Sequence, residues 1–281
     1  MNRFTVCLLL GCLGGFAVLA ALPDPPPAPA KAVAFTGAMI HSAVGAPIPD
    51  GVLLVQGGTI VAVGGKDTPI PAGAEIIDAR GKVILPGLVD THSHVGVYAK
   101  PGVEAHQDGN EGSGPVQSGI RALDAIHTGD PGIRMALAGG VTTANIMPGS
   151  GNVIGGTTLY VKFRGRTVEE MRIASTNTVG GIKMANGENP KRAFERNRQA
   201  PGTRMKIAAL QREQLVKAQA YRQRWADHRA GKGAAPDVDL ALEPLVEVLD
   251  RKRTVHFHCH RADDLMTAVR LAEEFGFDLV L

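Results

Sequence analysis

Aromatic residues are scarce in this sequence: one Trp, three Tyr and eight Phe among 281 residues, 4% in all. A surface that stacks on bases has little to draw on, and a net charge of only +3 without a clustered basic face also speaks against nucleic acid as a partner. Cysteine is rarer still. Of the three, Cys7 and Cys12 lie in the apolar amino-terminal run, so removal of that run leaves Cys259 alone and excludes an intramolecular disulfide. No internal repeat stands out, and no G-x-G-x-x-G fingerprint occurs where a dinucleotide fold needs one. What is present is ordinary for a globular protein: 44% apolar and 20% charged residues, enough for one large domain or two smaller ones.

The first thirty residues, MNRFTVCLLLGCLGGFAVLAALPDPPPAPA, set one arginine before an apolar run and follow it with a proline-rich spacer. This pattern predicts an export signal over residues 1–30, cleaved after Ala20 or Ala30, and a periplasmic or envelope location. A lipidation-like site at Cys12 and an uncleaved anchor are the alternatives, since the run approaches the roughly 20 residues that cross a bilayer. Membrane contact is expected only through this segment.

Residues 31–85 read as short β-prone runs broken by Gly and Pro, a small all-β domain of hairpins, sandwich-like in outline. After Pro86-Gly87 strands and helices alternate, which predicts an α/β domain over 86–281 with a mainly parallel sheet or barrel. Strands are expected at 88–91, 141–146, 158–163, 181–185, 254–259 and 277–281. The clearest helix spans 262–275, where Leu265, Val269 and Ala272 share a face and Gly276 supplies the stop. Residues 204–233, rich in Arg, Lys and Gln, predict a solvated helical insertion that Trp225 packs down.

Three motifs carry chemistry. In VILPGLVDTHSH, His92 and His94 sit two apart at a strand end, so both rings leave the same face and can close on one ion. In TVHFHCHRADD, His256, His258 and His260 alternate in the same way, while Cys259 points oppositely as a packing residue. Three imidazoles are a poor filling for an apolar core, because their nitrogens need partners; one is expected as a ligand, the others as orienting or substrate-touching groups. In GGIKMANGENPKR, Lys183 falls within a β-prone run and Glu188 in the loop beyond it. A buried ammonium is costly, so Lys183 is a candidate for carbamylation into an anionic metal ligand, with Glu188 as the alternative carboxylate ligand and an ordinary surface loop as the plain reading. The glycine loop MPGSGNVIGG, residues 147–156, offers close backbone approach to a substrate or is simply a turn.

VILPGLVDTHSHVG resembles the first-strand motif of the amidohydrolase superfamily, metal-dependent hydrolases with a (β/α)8 TIM-type barrel. AGGVTTANIMPGSGNVIGG, GIKMANGENPKR and HCHRADDLMTAVRLAEEFG are similar to its imidazolonepropionase-like branch, and the likeness runs from about Val33 to Leu281. The resemblance implies metal ligation by His92, His94 and His258, with Lys183 or Glu188 supplying the oxygen ligand and His256 and His260 beside them. It implies a divalent metal, zinc first, as one or two ions, and hydrolysis of an amide, cyclic amide or dipeptide-like small molecule by metal-activated water. The superfamily's proton-shuttling aspartate would lie beyond Leu281. Residues 86–281, insertion included, are fewer than the about 250 a barrel takes, so the expected barrel is truncated after five or six βα units. The chain then reads as the front of a longer enzyme, or as half of a fold completed by a partner or an oligomer. A non-catalytic exported binding protein is the rival reading.

Overall fold

The computed structural model describes residues 30–173, 180–195 and 199–281. Residues 1–29, nearly all of the segment expected to be an export signal, and with them both amino-terminal cysteines, lie outside the described residues. Among those residues no helix is long and apolar enough to cross a membrane. The chain divides into two compact units, one up to Pro86 and one from Gly87 onward.

In the first unit a single five-stranded sheet forms around β1 (Val33–Ile40). β1 pairs antiparallel with β2 (Ile48–Gln56), and β2 turns through Gly57 and Gly58, both at positive φ, into β3 (Thr59–Gly64). Its other edge takes β4 (Glu75–Asp78) and β5 (Val83–Ile84) in parallel, so hairpins account for only half of the expected sheet. Small side chains at alternate β1 positions, Ala34 and Ala38, are buried with Leu54 and Ile40 respectively in two small apolar clusters.

The second unit is mixed α/β. β6 (Leu88–Ser93) pairs parallel with β7 (Val141–Ile146), and β10 (Gly181–Ala185), β11 (Thr254–His258) and β12 (Leu279–Val280) pair parallel in that order. Between these two parallel blocks runs one reversed ribbon, β8 (Ile154–Thr157) and β9 (Leu159–Lys162). β9 pairs antiparallel with β7 and β8 antiparallel with β10. At the joint, the Thr158 N–H donates to the Gly181 carbonyl and its hydroxyl accepts from the Gly181 N–H, each at 2.8 Å, so the ladder is carried across the bend. The expectation of a mainly parallel sheet therefore needs a correction in the middle. The expected strand at 158–163 runs in the opposite sense: the link from β7 holds a glycine loop and β8 but no crossover helix, and β9 folds back antiparallel on β7.

Helices cover this sheet. α1 (Pro131–Ala138) starts on Asp130, whose carboxylate accepts from the Gly132 N–H, with Pro131 in the first turn. α2 (Val168–Met171) carries a capping box between Thr167 and Glu170. α3 (Glu188–Glu195) opens with Glu188, expected in a loop, and α5 (Glu243–Leu249) precedes β11. α6 (Ala262–Phe275) ends at Gly276, whose φ of 74° is left-handed. α4 (Arg204–Arg229) is the expected insertion, but one face is not solvated: Ile207, Gln211, Leu215 and Ala218 recur every three or four residues and are buried. That stripe joins the core with Ile182, Met184, Val255 and Phe257, and Trp225 and Cys259 pack against its edge. Burial of Ile207 or Leu215 stabilises by roughly 2 kcal/mol each. The Gln211 amide donates at 3.3 Å to the carbonyls of Val153 and Ala185, so the helix also pins the ends of β8 and β10.

Candidate active site

β6, β10 and β11 bring the strand-borne residues together. In the β10–β11 register Lys183 stands opposite His256, so both side chains leave the same face. Lys183 is completely buried, and its Nζ lies 3.0 Å from His92 Nε2 and 3.5 Å from the Met147 sulfur. A charged ammonium only donates, so His92 accepts at Nε2 and carries its proton on Nδ1. His94 is held differently. Its Nδ1 donates at 2.8 Å to the Met147 carbonyl, which leaves the Nε2 lone pair free, the orientation seen in metal-binding imidazoles. The two rings meet edge to face with centroids 5.1 Å apart.

His256 is buried, and its Nε2 is 3.2 Å from the Asn145 amide nitrogen. The Asn145 side-chain oxygen is buried without a partner. β11 ends at His258, so His260 lies past the strand. The rings of His258 and His260 still meet, their Nε2 atoms 3.0 Å apart, and Asn189 reaches His258 Nε2 at 3.1 Å. His260 Nδ1 is 2.8 Å from Glu188, whose other oxygen accepts from Arg192 at 2.9 Å. Glu188 is therefore committed to His260 and Arg192, whereas Lys183 sits at the centre. Among the described residues, no three His, Cys, Asp or Glu side chains converge closely enough to hold a metal ion; Lys183, as a nitrogen base, stands outside that set.

The electrostatics have one theme. Burial lowers the pKa of Lys183 to about 8. Burial, then the positive charge of Lys183, lowers His92 to about 4. His94, His256 and His258 are lowered too, by burial first and by neighbouring cationic groups, Lys183 among them. The carboxylates that oppose this are outlying: Asp90 acts on His92 and His94, and Glu188 on His258. The site is thus a set of nitrogen bases held short of protons, with lone pairs to offer. A divalent cation fits that donor chemistry, and the orphaned Asn145 oxygen adds an unused acceptor beside it.

A cavity of about 550 Å3 opens beside His94, bounded by Tyr98, Asn110, Gly149, Asn189 and Arg192. The Tyr98 ring stands edge to face on His94 with centroids 5.7 Å apart. Sequence reasoning did not find Tyr98, Asn110, Asn145 or Asn189. A lone amide or phenol carries no spacing signal, and only the fold shows what it faces.

Comparison with known proteins bears on this geometry. No family model matches the chain. The amidohydrolase tasK of Hapsidospora irregularis is 33% identical over 251 residues, 82% of this chain and 25% of that protein. The imidazolonepropionase of Chloroflexus aggregans is 37% identical over 122 residues, 37% of this chain and 28% of that protein. The crystal structure of an amidohydrolase from Thermotoga maritima superposes with a TM-score of 0.81 at 39% identity, covering 88% of this chain and 63% of its own. The chain thus spans about a quarter of the length of these two curated relatives and under two thirds of that solved structure. Over most of its length, then, the chain is similar to amidohydrolases.

Proposed function

We propose that this chain carries the metal-holding part of a hydrolase centre that opens the C–N bond of an amide, a cyclic amide or a dipeptide-like small molecule. The observation that carries the reading is the buried Lys183 Nζ 3.0 Å from His92 Nε2, with His92, His94, His256 and His258 all short of protons. His92, His94 and Lys183 would hold a divalent ion, zinc by preference, with His258 as a further donor. Such an ion would supply Lewis acidity toward the scissile carbonyl and toward water.

The chain's own residues prepare the site. The Met147 carbonyl fixes His94 so that Nε2 faces the cavity, and Asn145 fixes His256. Lys183, with its lowered pKa, is neutral more often than a surface lysine. Its amine can therefore attack the carbon of dissolved carbon dioxide. A C–N bond forms, one carbonyl electron pair moves onto oxygen, and the displaced proton leaves to solvent. The resulting carbamate supplies the anionic oxygen that the cluster otherwise lacks, a role for which Glu188 is less free. Export from the cytoplasm is part of the proposal and rests on the amino-terminal apolar run alone.

The test is metal content and turnover measured together. Zinc bound stoichiometrically to the wild type and lost from the His92→Ala/His94→Ala double variant is the expected result. Full retention of metal by the double variant would overturn the ligand assignment.

A further inference from the structure

We propose that Tyr98 is a substrate-contacting hydrogen-bond donor in the cavity beside His94, where its phenolic proton is aimed at the carbonyl oxygen of a small amide, and that Asn110 is the positioning residue that points it there. This rests on the hydrolase reading above for the chemical class of the ligand, and on separate geometry for the donor.

The Gly151 backbone N–H can only donate, and it donates at 2.7 Å to the Asn110 side-chain oxygen. That bond fixes which end of the amide is oxygen. The Asn110 NH2 therefore faces Tyr98 and donates to its hydroxyl oxygen. With that oxygen already accepting, the phenolic proton must find an acceptor elsewhere. Among the described residues none lies within hydrogen-bonding distance of it. Tyr98 also bounds the cavity of about 550 Å3, a size suited to a small molecule, and its ring rests on His94. A free donor, one ring away from a candidate metal ligand, faces the space a substrate would fill.

The glycine-rich loop of residues 147–156 gains a purpose from this arrangement. A Cβ at Gly149 would collide with the Tyr98 hydroxyl, and one at Gly151 would crowd the Asn110 side chain. The loop is glycine where the donor pair must be approached closely, not where a phosphate would be cradled.

Two variants of nearly unchanged volume test this on the zinc-loaded full chain, with hydantoin, dihydrouracil and glycyl-proline as probes. Tyr98→Phe removes the proton. Asn110→Asp keeps the acceptor for Gly151 but replaces the NH2 by a second acceptor, so the Tyr98 proton should turn inward to the carboxylate and leave the cavity. If the wild type hydrolyses a probe, both variants should lose roughly tenfold to a hundredfold in kcat with KM little changed. An unchanged kcat in either variant overturns the proposal and leaves the hydrolase reading intact. If a probe binds without turnover, the hydrolase reading fails instead, and calorimetric Kd values decide: weakening in both variants by about fivefold or more supports the donor, and equal affinity overturns it. Absence of binding by all three probes to a wild type that holds zinc overturns the assignment of the cavity. Melting curves that match the wild type keep either variant informative.

Discussion

The two histidine-bearing strands show how one sequence pattern acquires different meanings from its place in a sheet. β6 has a neighbour on one side only among the described residues, and most of its residues are exposed. β11 lies between β10 and β12, and Val255, His256 and Phe257 are buried. On β6 and just past its end the rings are fixed by groups from other elements, His92 by Lys183 and His94 by the Met147 carbonyl, which leaves the His94 Nε2 lone pair free. On β11, His256 is enclosed with Asn145, and His258 shares its outer nitrogen with His260 and Asn189. An edge strand thus presents ligands, while an inner strand holds imidazoles that must be satisfied internally. Lys183 on β10 touches the first group directly and depresses the second through its charge.

If that contrast is right, its sharpest test is Lys183 itself. Lys183→Met should abolish metal-dependent turnover, a loss of at least about a thousandfold if the residue completes the metal site, measured as kcat/KM on any substrate the wild type accepts. The same change should stabilise the metal-free protein. The folded lysine titrates near 8 against 10.5 for an unperturbed one, so at pH 7 the buried ammonium costs up to about 3 kcal/mol. The sign follows from the protons: between pH 8 and 10.5 the unfolded chain holds more of them, so wild-type stability rises across that window, and the variant should not show the rise. Urea titrations in chelator at pH 7 and pH 10 measure both.

Next in size is the difference between the strands. His94→Ala should weaken zinc affinity by tenfold to a hundredfold or more, whereas Asn145→Ala should weaken it less while destabilising the fold by about 1–2 kcal/mol through the unpaired His256. Competition with a chromophoric chelator and urea midpoints separate the two effects. Equal loss of zinc affinity in both would erase the proposed division of labour.

A smaller effect is expected with acid. His92 titrates near 4 in the fold against 6.5 ordinarily, and His94, His256 and His258 are lowered as well. The unfolded chain then binds more protons between pH 6.5 and 4, so the metal-free protein loses stability as pH falls through that range. His92→Gln should flatten the slope in urea midpoints measured from pH 7 to pH 4.5. The smallest change is set at the rim: Arg212→Ala, which removes the exposed pair with Glu274, should shift stability by no more than about 1 kcal/mol.

Much of this was legible in the letters. The helix expected at 262–275 and the strand at 181–185 have those bounds in the structure, because both are bracketed by residues with fixed conformational demands: Gly276 in left-handed geometry and Gly180 at a φ of 88°. The histidine spacing and the buried lysine are likewise sequence facts with physical consequences. β8 was not legible. Ile-Gly-Gly-Thr has little β-propensity, yet all four residues are buried, because Gly156 lets the Ile120 backbone pack where a side chain would clash. Glu188 illustrates a different gap. Its chemistry suits a ligand, and only the positions of His260 and Arg192 reveal that it is already engaged. The amides of Asn110, Asn145 and Asn189 left no trace in any pattern.

The reversed ribbon of β8 and β9 has a consequence for assembly of the molecule. β9 folds back on β7 from a short distance along the chain, a pairing with little loop to close, whereas β10 and β11 are separated by the whole of α3, α4 and α5. Contacts of the first kind form early and those of the second late. The ribbon that departs from the parallel order is thus able to zip up first through β9, and its β8 half gives the later-arriving lysine strand an edge on which to settle.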